Sequence, residues 1–427
     1  MSNGETAKAG PSGWMKQSNI YEVNIRQYTP EGTFNAFALH LPRLKEMGVD
    51  VLWLMPIYPI GLERRKDSLG SYYSIRDYKA VNPEFGTLDD FKKLVSEAHK
   101  LGMKVIIDWV ANHTSWDNAW IKEHRDFYKH NEKGEIVPPF DWNDVAQLNH
   151  ENPAQQNAMI DAMKYWVNNT ELDGFRCDMA HLCPVDFWKK ARPALDSIRP
   201  LFWLGETQDT PFFAAFDIIY GWEWLHKMED YYKGKTNIAG LDSVISQYMA
   251  DYKNNKFRIL FTTNHDENSW NGTEFDRYGD GARAFAALCA TLPGVPLVYS
   301  GQEEPLRKKL QFFNKDDIGF KNYEWKDFFG TLLHLRKNNP ALYADSAAQY
   351  IRLNNTANDK VFSFLRKNGE HEVAVIANLS ATEKLTFSIN DERLTGKFKN
   401  AMNNAENDFS KEKEFMLGPW DFVIYVK

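Results

Sequence analysis

The sequence predicts an α/β fold, a (β/α)8 barrel followed by an antiparallel β-domain, and three observations carry that prediction. Eight short apolar runs are spaced over residues 20–301. Amphipathic helical patterns separate many of them. After about residue 340 the texture changes to alternating strands. Strands that alternate with helices build a parallel sheet with crossovers, and eight such units suit a closed barrel.

The runs are IYEVNIRQY (20–28), VDVLWLM (49–55), MKVIIDWV (103–110), DGFRCD (173–178), LFWLGE (201–206), AFDIIYG (215–221), RILFTTNHD (258–266) and VPLVYSG (295–301). Between the first two, FNAFALHLPRLKEMG (34–48) reads as one helix. LDDFKKLVSEAHKLG (88–102) reads as another, started by Thr87 with Asp89 and Asp90 in its first turn and stopped by Gly102. The stretch between the third and fourth runs is too long for one crossover, so residues 114–148 are expected to form a small inserted subdomain. Few residues separate Glu206 from the sixth run, which leaves room for a bare loop only, unless that run is not a strand.

Residues 1–17 open on the polar stretch MSNGETAKAGPSG and are expected to be flexible. The barrel is then assigned to 18–113 and 149–339, and the C-terminal β-domain to 340–427. Within the latter, QYIRLN, KVFSFLRKN, HEVAVIANL, KLTFSI and DFVIYVK read as strands. Asn368-Gly369 marks a hairpin, because both central residues of a type I′ turn need positive φ.

The totals narrow the class of function. The chain has 427 residues, 43% hydrophobic and 26% charged, an ordinary globular composition. Its net charge of −7 comes with no Lys/Arg cluster, which argues against a nucleic-acid partner. No apolar run is long enough for a membrane span. Three cysteines, Cys177, Cys183 and Cys289, lack the spacing of a disulfide scaffold or a zinc site. The 14 tryptophans are mostly core material, yet their number suits a site that stacks sugar rings.

Four runs finish in polar groups: KVIIDWVANH, GFRCD, FWLGE and FTTNHD. In a (β/α)8 barrel the C-terminal strand ends face the active site, so Asp108, Asp178, Glu206 and Asp266 would gather in one bowl with His113 and His265. One acid at a strand end is commonly a helix cap, but four such ends do not all read as caps. Arg176 and Asp178 lie two apart on one strand and share a face, so the arginine is expected to hold the aspartate low and oriented. Carboxylates gathered without a nucleophilic cysteine or serine suit metal binding or glycosidic cleavage, which needs one protonated and one ionised carboxyl.

In order and in context, these four motifs resemble those of the α-amylase family of retaining glycoside hydrolases (family 13-like), over about residues 18–427. The resemblance implies a (β/α)8 barrel with a subdomain after strand three and a C-terminal antiparallel β-sandwich. By motif, it makes Asp178 the nucleophile, Glu206 the general acid/base and Asp266 the stabiliser of the transition state. His113, Arg176 and His265 would line the same subsite, with Asp108 buried behind them. Tyr73, in GSYYSIRDY (70–78), would stack on the sugar. His181 would reach the leaving-group sugar, although MAH (179–181) departs from the family's usual Lys-His ending. Trp116, Trp142, Trp222 and Trp270 are further stacking candidates.

No cofactor is required by this reading. A calcium ion is allowed rather than demanded, with Asn112 the one candidate ligand. Gln147, in AQLN (146–149), stands where the family usually has an aspartate. The expected activity is hydrolysis of α-1,4-linked glucans or maltooligosaccharides. A glucanotransferase or α-glucosidase is the alternative, and a non-catalytic sugar-binding relative or a metallohydrolase stands further off. The polar start resembles a trimmed export linker and points to a periplasmic or extracellular location, with a cytoplasmic one as the alternative. Oligomeric state is left open.

Overall fold

The computed structural model describes residues 10–427. Eight parallel strands close into a barrel: β1 (Ile20–Val23), β2 (Val51–Leu54), β3 (Lys104–Trp109), β4 (Gly174–Cys177), β5 (Phe202–Gly205), β6 (Ile218–Tyr220), β7 (Phe257–Leu260) and β8 (Val295–Tyr299). β8 closes onto β1 with Leu297 opposite Ile20. Each of the eight apolar runs holds one of these strands.

Alternation along the strands divides their side chains between two cores. Ile20, Val51, Trp53, Ile106, Phe202, Leu204, Ile218, Ile259 and Leu297 fill the barrel interior as one cluster. Their neighbours Tyr21, Leu52, Leu54, Ile107, Phe175, Cys177 and Trp203 pack outward in the cluster that includes the helices. Burial of each large apolar side chain contributes roughly 1.5–3 kcal/mol. Gly174 serves a close approach between β4 and β5, since a Cβ there would lie 2.0 Å from the Phe202 carbonyl oxygen.

The helix at Leu88–Lys100 begins on the Thr87/Asp90 capping box that its sequence signals. The single helix expected over 34–48 is instead two, Phe34–Ala38 and Leu41–Glu46. Pro42 has no N–H to give to the preceding turn, so the helix stops and restarts with proline near its new beginning. The crossover from β5 to β6 is a short 3-10 turn, Thr210–Ala214, in place of a helix.

Between β3 and β4 the chain leaves the barrel, and the ends of this excursion pair. His113–Ser115 runs antiparallel to Val145–Gln147, with His113 opposite Gln147. The C-terminal part forms a six-stranded antiparallel sheet and a two-stranded one, Leu385–Ser388 with Glu414–Leu417. Leu353, Phe387, Ile389, Phe398, Phe409 and Phe415 belong to the core they share. A hairpin is present there, but Asn368 is a strand residue paired to His371, so the turn centres on Gly369 and Glu370 with only Gly369 at positive φ (60°), in place of the expected type I′ turn on Asn368-Gly369.

The flexibility expected over residues 1–17 is corrected in part. Gly13–Gln17 is a 3-10 helix that buries Met15, and Lys16 pairs with Asp345 at 2.7 Å. The rest of the expectation, over residues 1–9, lies outside the described residues. Among the described residues no helix is long and apolar enough to cross a membrane.

Candidate active site

Register sets the site. Asp108 on β3 lies directly opposite Arg176 on β4, so the two side chains share the inner face near the C-terminal ends of the strands. Arg176 is fully buried. Its Nη1 donates to Asp108 at 3.0 and 3.2 Å and to Asp178 Oδ1 at 3.0 Å, and its Nε donates to the Tyr220 hydroxyl at 3.0 Å. Its Nη2 lies 2.9 Å from Glu206 Oε2, an ion contact outside hydrogen-bond alignment. The Trp53 ring covers the guanidinium at 4.5 Å. One cation thus touches three buried carboxylates.

Asp178 and Glu206 both meet the Arg176 guanidinium, at 3.0 and 2.9 Å, which makes their carboxyls neighbours. Burial, then repulsion from Glu206, pushes Asp178 well above the ordinary carboxylate range. Burial alone would raise Glu206 too, but Arg176 and the backbone N–H of Met179, which donates to Glu206 Oε2 at 2.7 Å, pull it below its usual value. The expectation that Arg176 holds Asp178 low is corrected: its charge is divided among three acids, and burial wins.

The second cation is His265. Its Nδ1 meets Glu22, and its Nε2 faces the Tyr73 hydroxyl at 2.9 Å and Asp266 Oδ2 at 3.3 Å. Burial would lower this histidine, but Asp266 and Glu22 outweigh it and raise the group to about 9. Tyr73 also donates to Asp108 at 2.9 Å, and its ring stacks on His265 at 5.3 Å. His113 is different: burial holds it down to about 4, so it is neutral at pH 7.

A cavity of about 320 Å³ opens onto these groups, lined by Tyr73, His113, Asp178, His265 and Asp266, with Lys66, Trp142, Trp270, Phe312 and Phe313 around it. A larger cleft of about 860 Å³ lies between the 114–148 excursion and the helix Pro153–Asn169, but none of the acids lining it is buried. The acid cluster belongs to the smaller cavity. The structure thus brings together Tyr73, His113, Arg176, Asp178, Glu206, His265 and Asp266. His181 stands apart: it is exposed on the turn Ala180–Leu182, with Nδ1 3.4 Å from the Glu206 carbonyl oxygen. Trp142 and Trp270 line the cavity. Trp116 is buried under Arg64, and Trp222 packs on His226 and Tyr220.

Sequence reasoning missed several members. Glu22 lies inside the first apolar run, a charge in an interior strand just like Arg176, and the same argument finds it. The Met179 N–H is a backbone donor, placed by a left-handed φ of 42°, and no side-chain pattern announces it. Lys66, which pairs with Asp144 at 3.1 Å, and Phe312 and Phe313 arrive on loops distant in sequence.

The residues at Asn112 do not fit a calcium ion. Gln147 Nε2 donates to Asn112 Oδ1 at 2.9 Å, to the Asn112 carbonyl at 3.1 Å and to the Leu148 carbonyl at 3.0 Å. An amide N–H thus occupies the centre of the oxygens that a cation would need. Among the described residues, no group of three or more His, Cys, Asp or Glu side chains is placed to hold a metal.

The chain matches the family model of the alpha amylase catalytic domain over residues 3–145. It is similar to the crystal structure of a noncanonic maltogenic alpha-amylase, AmyB, from Thermotoga neapolitana. The TM-score is 0.88 at 30% identity, with 97% of this chain and 99% of that chain covered. Among curated proteins it is 27% identical to Alpha-amylase MalA of Haloarcula japonica, over 88% of this chain and 57% of the relative. It is 28% identical to the cyclomaltodextrin glucanotransferase of Geobacillus stearothermophilus, over 88% of this chain and 58% of the relative. The chain therefore spans little more than half the length of these curated relatives.

Proposed function

The chain belongs to the α-amylase family of glycoside hydrolases, and we propose that it cleaves α-1,4-glucosidic bonds of starch-type glucans or maltooligosaccharides with retention of configuration. One observation carries the reading: two buried carboxyls, Asp178 and Glu206, are gathered on one guanidinium at 3.0 and 2.9 Å. Carboxyls this close favour a covalent route, because an inverting enzyme keeps its pair further apart to admit a water.

In this mechanism Glu206 gives its proton to the glycosidic oxygen as Asp178 attacks the anomeric carbon. The C–O bond to the leaving sugar breaks and a glycosyl ester on Asp178 forms. Glu206 then takes a proton from water, the water oxygen displaces Asp178, and Glu206 is again protonated. The first step needs a proton on Glu206, whose neighbours Arg176 and the Met179 amide favour its ionised form. A glycosidic oxygen brought against Glu206 draws that carboxyl away from the Met179 amide and offers its proton a destination. Asp178 keeps Arg176 Nη1 and carries the charge. Asp266, with its side chain 40% exposed into the cavity, is free to take sugar hydroxyls.

The rim supports a chain of sugars as substrate. Phe140 and Trp270 are the large aromatics left exposed among the described residues, at 68% and 51%. Phe140 packs edge-on against Trp142, and Trp270 packs on Phe312 and Phe313, so both lead to the cavity. Phe140 holds a φ of 53°, which a bulky residue adopts only under constraint. Exposed rings on both sides of a cavity suit glucose faces beyond the reacting unit.

Transfer to a sugar hydroxyl is the second reading, favoured by the apolar wall of Trp142, Trp270, Phe312 and Phe313, which limits water near the ester. Incubation with maltooligosaccharides of graded length, followed by proton NMR, separates the readings. Initial α-anomer release is expected. Products longer than the input would favour transfer, and initial β-anomer release would refute the mechanism.

A further inference from the structure

Glu22 is a buried carboxylate to which neither the motifs nor the steps above give a role. It sits on β1, fully buried in the barrel interior, and its Oε2 has no hydrogen-bond partner among the described residues. Arg176, committed to Asp108, Asp178 and Glu206, makes no contact with it. Among the described residues, the one basic side chain in contact with Glu22 is the ring of His265.

That ring stands between two carboxylates. Glu22 Oε1 accepts from Nδ1 on one side, and Asp266 Oδ2 lies on the Nε2 side together with the Tyr73 hydroxyl. A neutral imidazole carries one N–H and would point a lone pair at one of the two acids. Only the doubly protonated ring gives Glu22 a donor from Nδ1 and the Tyr73 hydroxyl one from Nε2 while setting positive charge beside Asp266, 3.3 Å away and outside hydrogen-bond alignment. We infer that Glu22 is a positioning residue: from the side of His265 away from the sugar cavity, it keeps the imidazole cationic, so that Nε2–H is held on Tyr73 and the positive charge stands beside Asp266. Asp266 thereby faces a fixed positive charge, and Tyr73 is left free to donate to Asp108 while it stacks on the ring. The inference rests on the glycosidase reading for its consequence in turnover, but the charge state of His265 stands apart from it.

Among the described residues, the charged and titratable groups facing the pair from the packed elements are Asp108 of β3, Arg176 of β4, Glu206 just after β5, Tyr220 of β6, Tyr299 of β8, Tyr73 and Asp266. Of these Arg176 opposes the cation, while Asp266 joins Glu22 in favouring it. The sign follows. Glu22 and Asp266 raise the histidine, so the cation persists until the pH approaches about 9. Loss of the Glu22 charge lets the proton leave at lower pH.

The test is a histidine titration by nitrogen-15 NMR of the full chain, with His265 assigned by the resonance missing in His265→Gln, alongside the pH profile of kcat/KM. In the wild-type protein His265 is expected to remain an imidazolium through pH 8. In Glu22→Gln its midpoint should fall by at least one pH unit, the alkaline limb of kcat/KM should fall with it, and Glu22→Asp should restore most of both. A neutral wild-type His265 at pH 7 overturns the inference, and so does a folded Glu22→Gln with an unmoved midpoint. If Glu22→Gln does not fold, the wild-type titration alone decides. If the chain cleaves no glucan, the titration still decides, and the failure belongs to the proposed function.

Discussion

Two neighbouring residues of β1 look into two buried ion clusters that differ in one respect. Tyr21 points outward and donates to Glu303 at 2.5 Å. Arg43 donates to Glu303 at 2.8 Å, the Gly301 N–H reaches its other oxygen at 3.2 Å, and Arg43 also donates to Tyr28 at 2.6 Å. One acid meets one base and a surplus of donors. Glu22 points inward, where Glu22, Asp108, Asp178, Glu206 and Asp266 meet, among the described residues, just two basic side chains, Arg176 and His265. The first cluster is balanced and serves packing. The second is short of positive charge, so protons must be shared within it, and shared protons are what acid–base chemistry uses.

The largest expected effect falls on the inner cluster. Asp178→Asn is expected to lower kcat by roughly 10⁴-fold or more, as loss of a covalent nucleophile does. Its melting temperature should hold or rise, because one of several crowded acids is gone. A variant that loses activity and stability together would break the contrast. In the outer cluster the pattern reverses. Glu303→Ala leaves Arg43 without its acid and is expected to cost about 3–5 kcal/mol in denaturant unfolding. Its kcat, measured where the protein is folded, should stay within about two-fold, less than 1 kcal/mol of barrier.

Two smaller effects sharpen the picture around the cavity. Because the Gln147 amide fills the space among the Asn112 and Leu148 oxygens, EDTA is expected to leave both melting temperature and activity unchanged. Gln147→Ala is expected to lose about 1–3 kcal/mol by orphaning those acceptors. Calcium-dependent recovery after EDTA would refute this account of the 112–148 corner. The smallest effect belongs to the rim. Trp270→Ala is expected to raise KM for maltoheptaose by several-fold, equivalent to about 1 kcal/mol of stacking, with kcat unchanged. An equal loss on a two-sugar substrate would place Trp270 in packing alone.

Much of this was legible in the sequence, for physical reasons. All eight barrel strands announced themselves because strands buried on both faces are continuous apolar runs. The catalytic-type acids were legible because charge is conspicuous at the end of such a run. What escaped was of four kinds. Lys397–Asn400 and Glu406–Asp408 are strands that their charged, exposed residues disguise as loop. The break near Pro42 was written in the sequence, but the apolar periodicity across it is strong enough to hide it. Glu22 escaped because attention went to strand ends and not to every charge within a strand. The Met179 amide and the Lys66, Phe312 and Phe313 walls depend on backbone geometry and on long-range folding, which no local pattern carries.

The central claim is that Asp178 forms a bond to sugar while Glu206 moves the proton. Glu206→Gln treated with α-maltosyl fluoride, whose leaving group needs little help from an acid, tests it most directly. The ester should form without assistance and break down slowly, because no base remains to activate water. Intact-mass analysis followed by peptide mapping is expected to find one maltosyl adduct on the peptide that carries Asp178. An adduct on another residue, or fluoride release with β-maltose and no adduct at any time, would contradict the account.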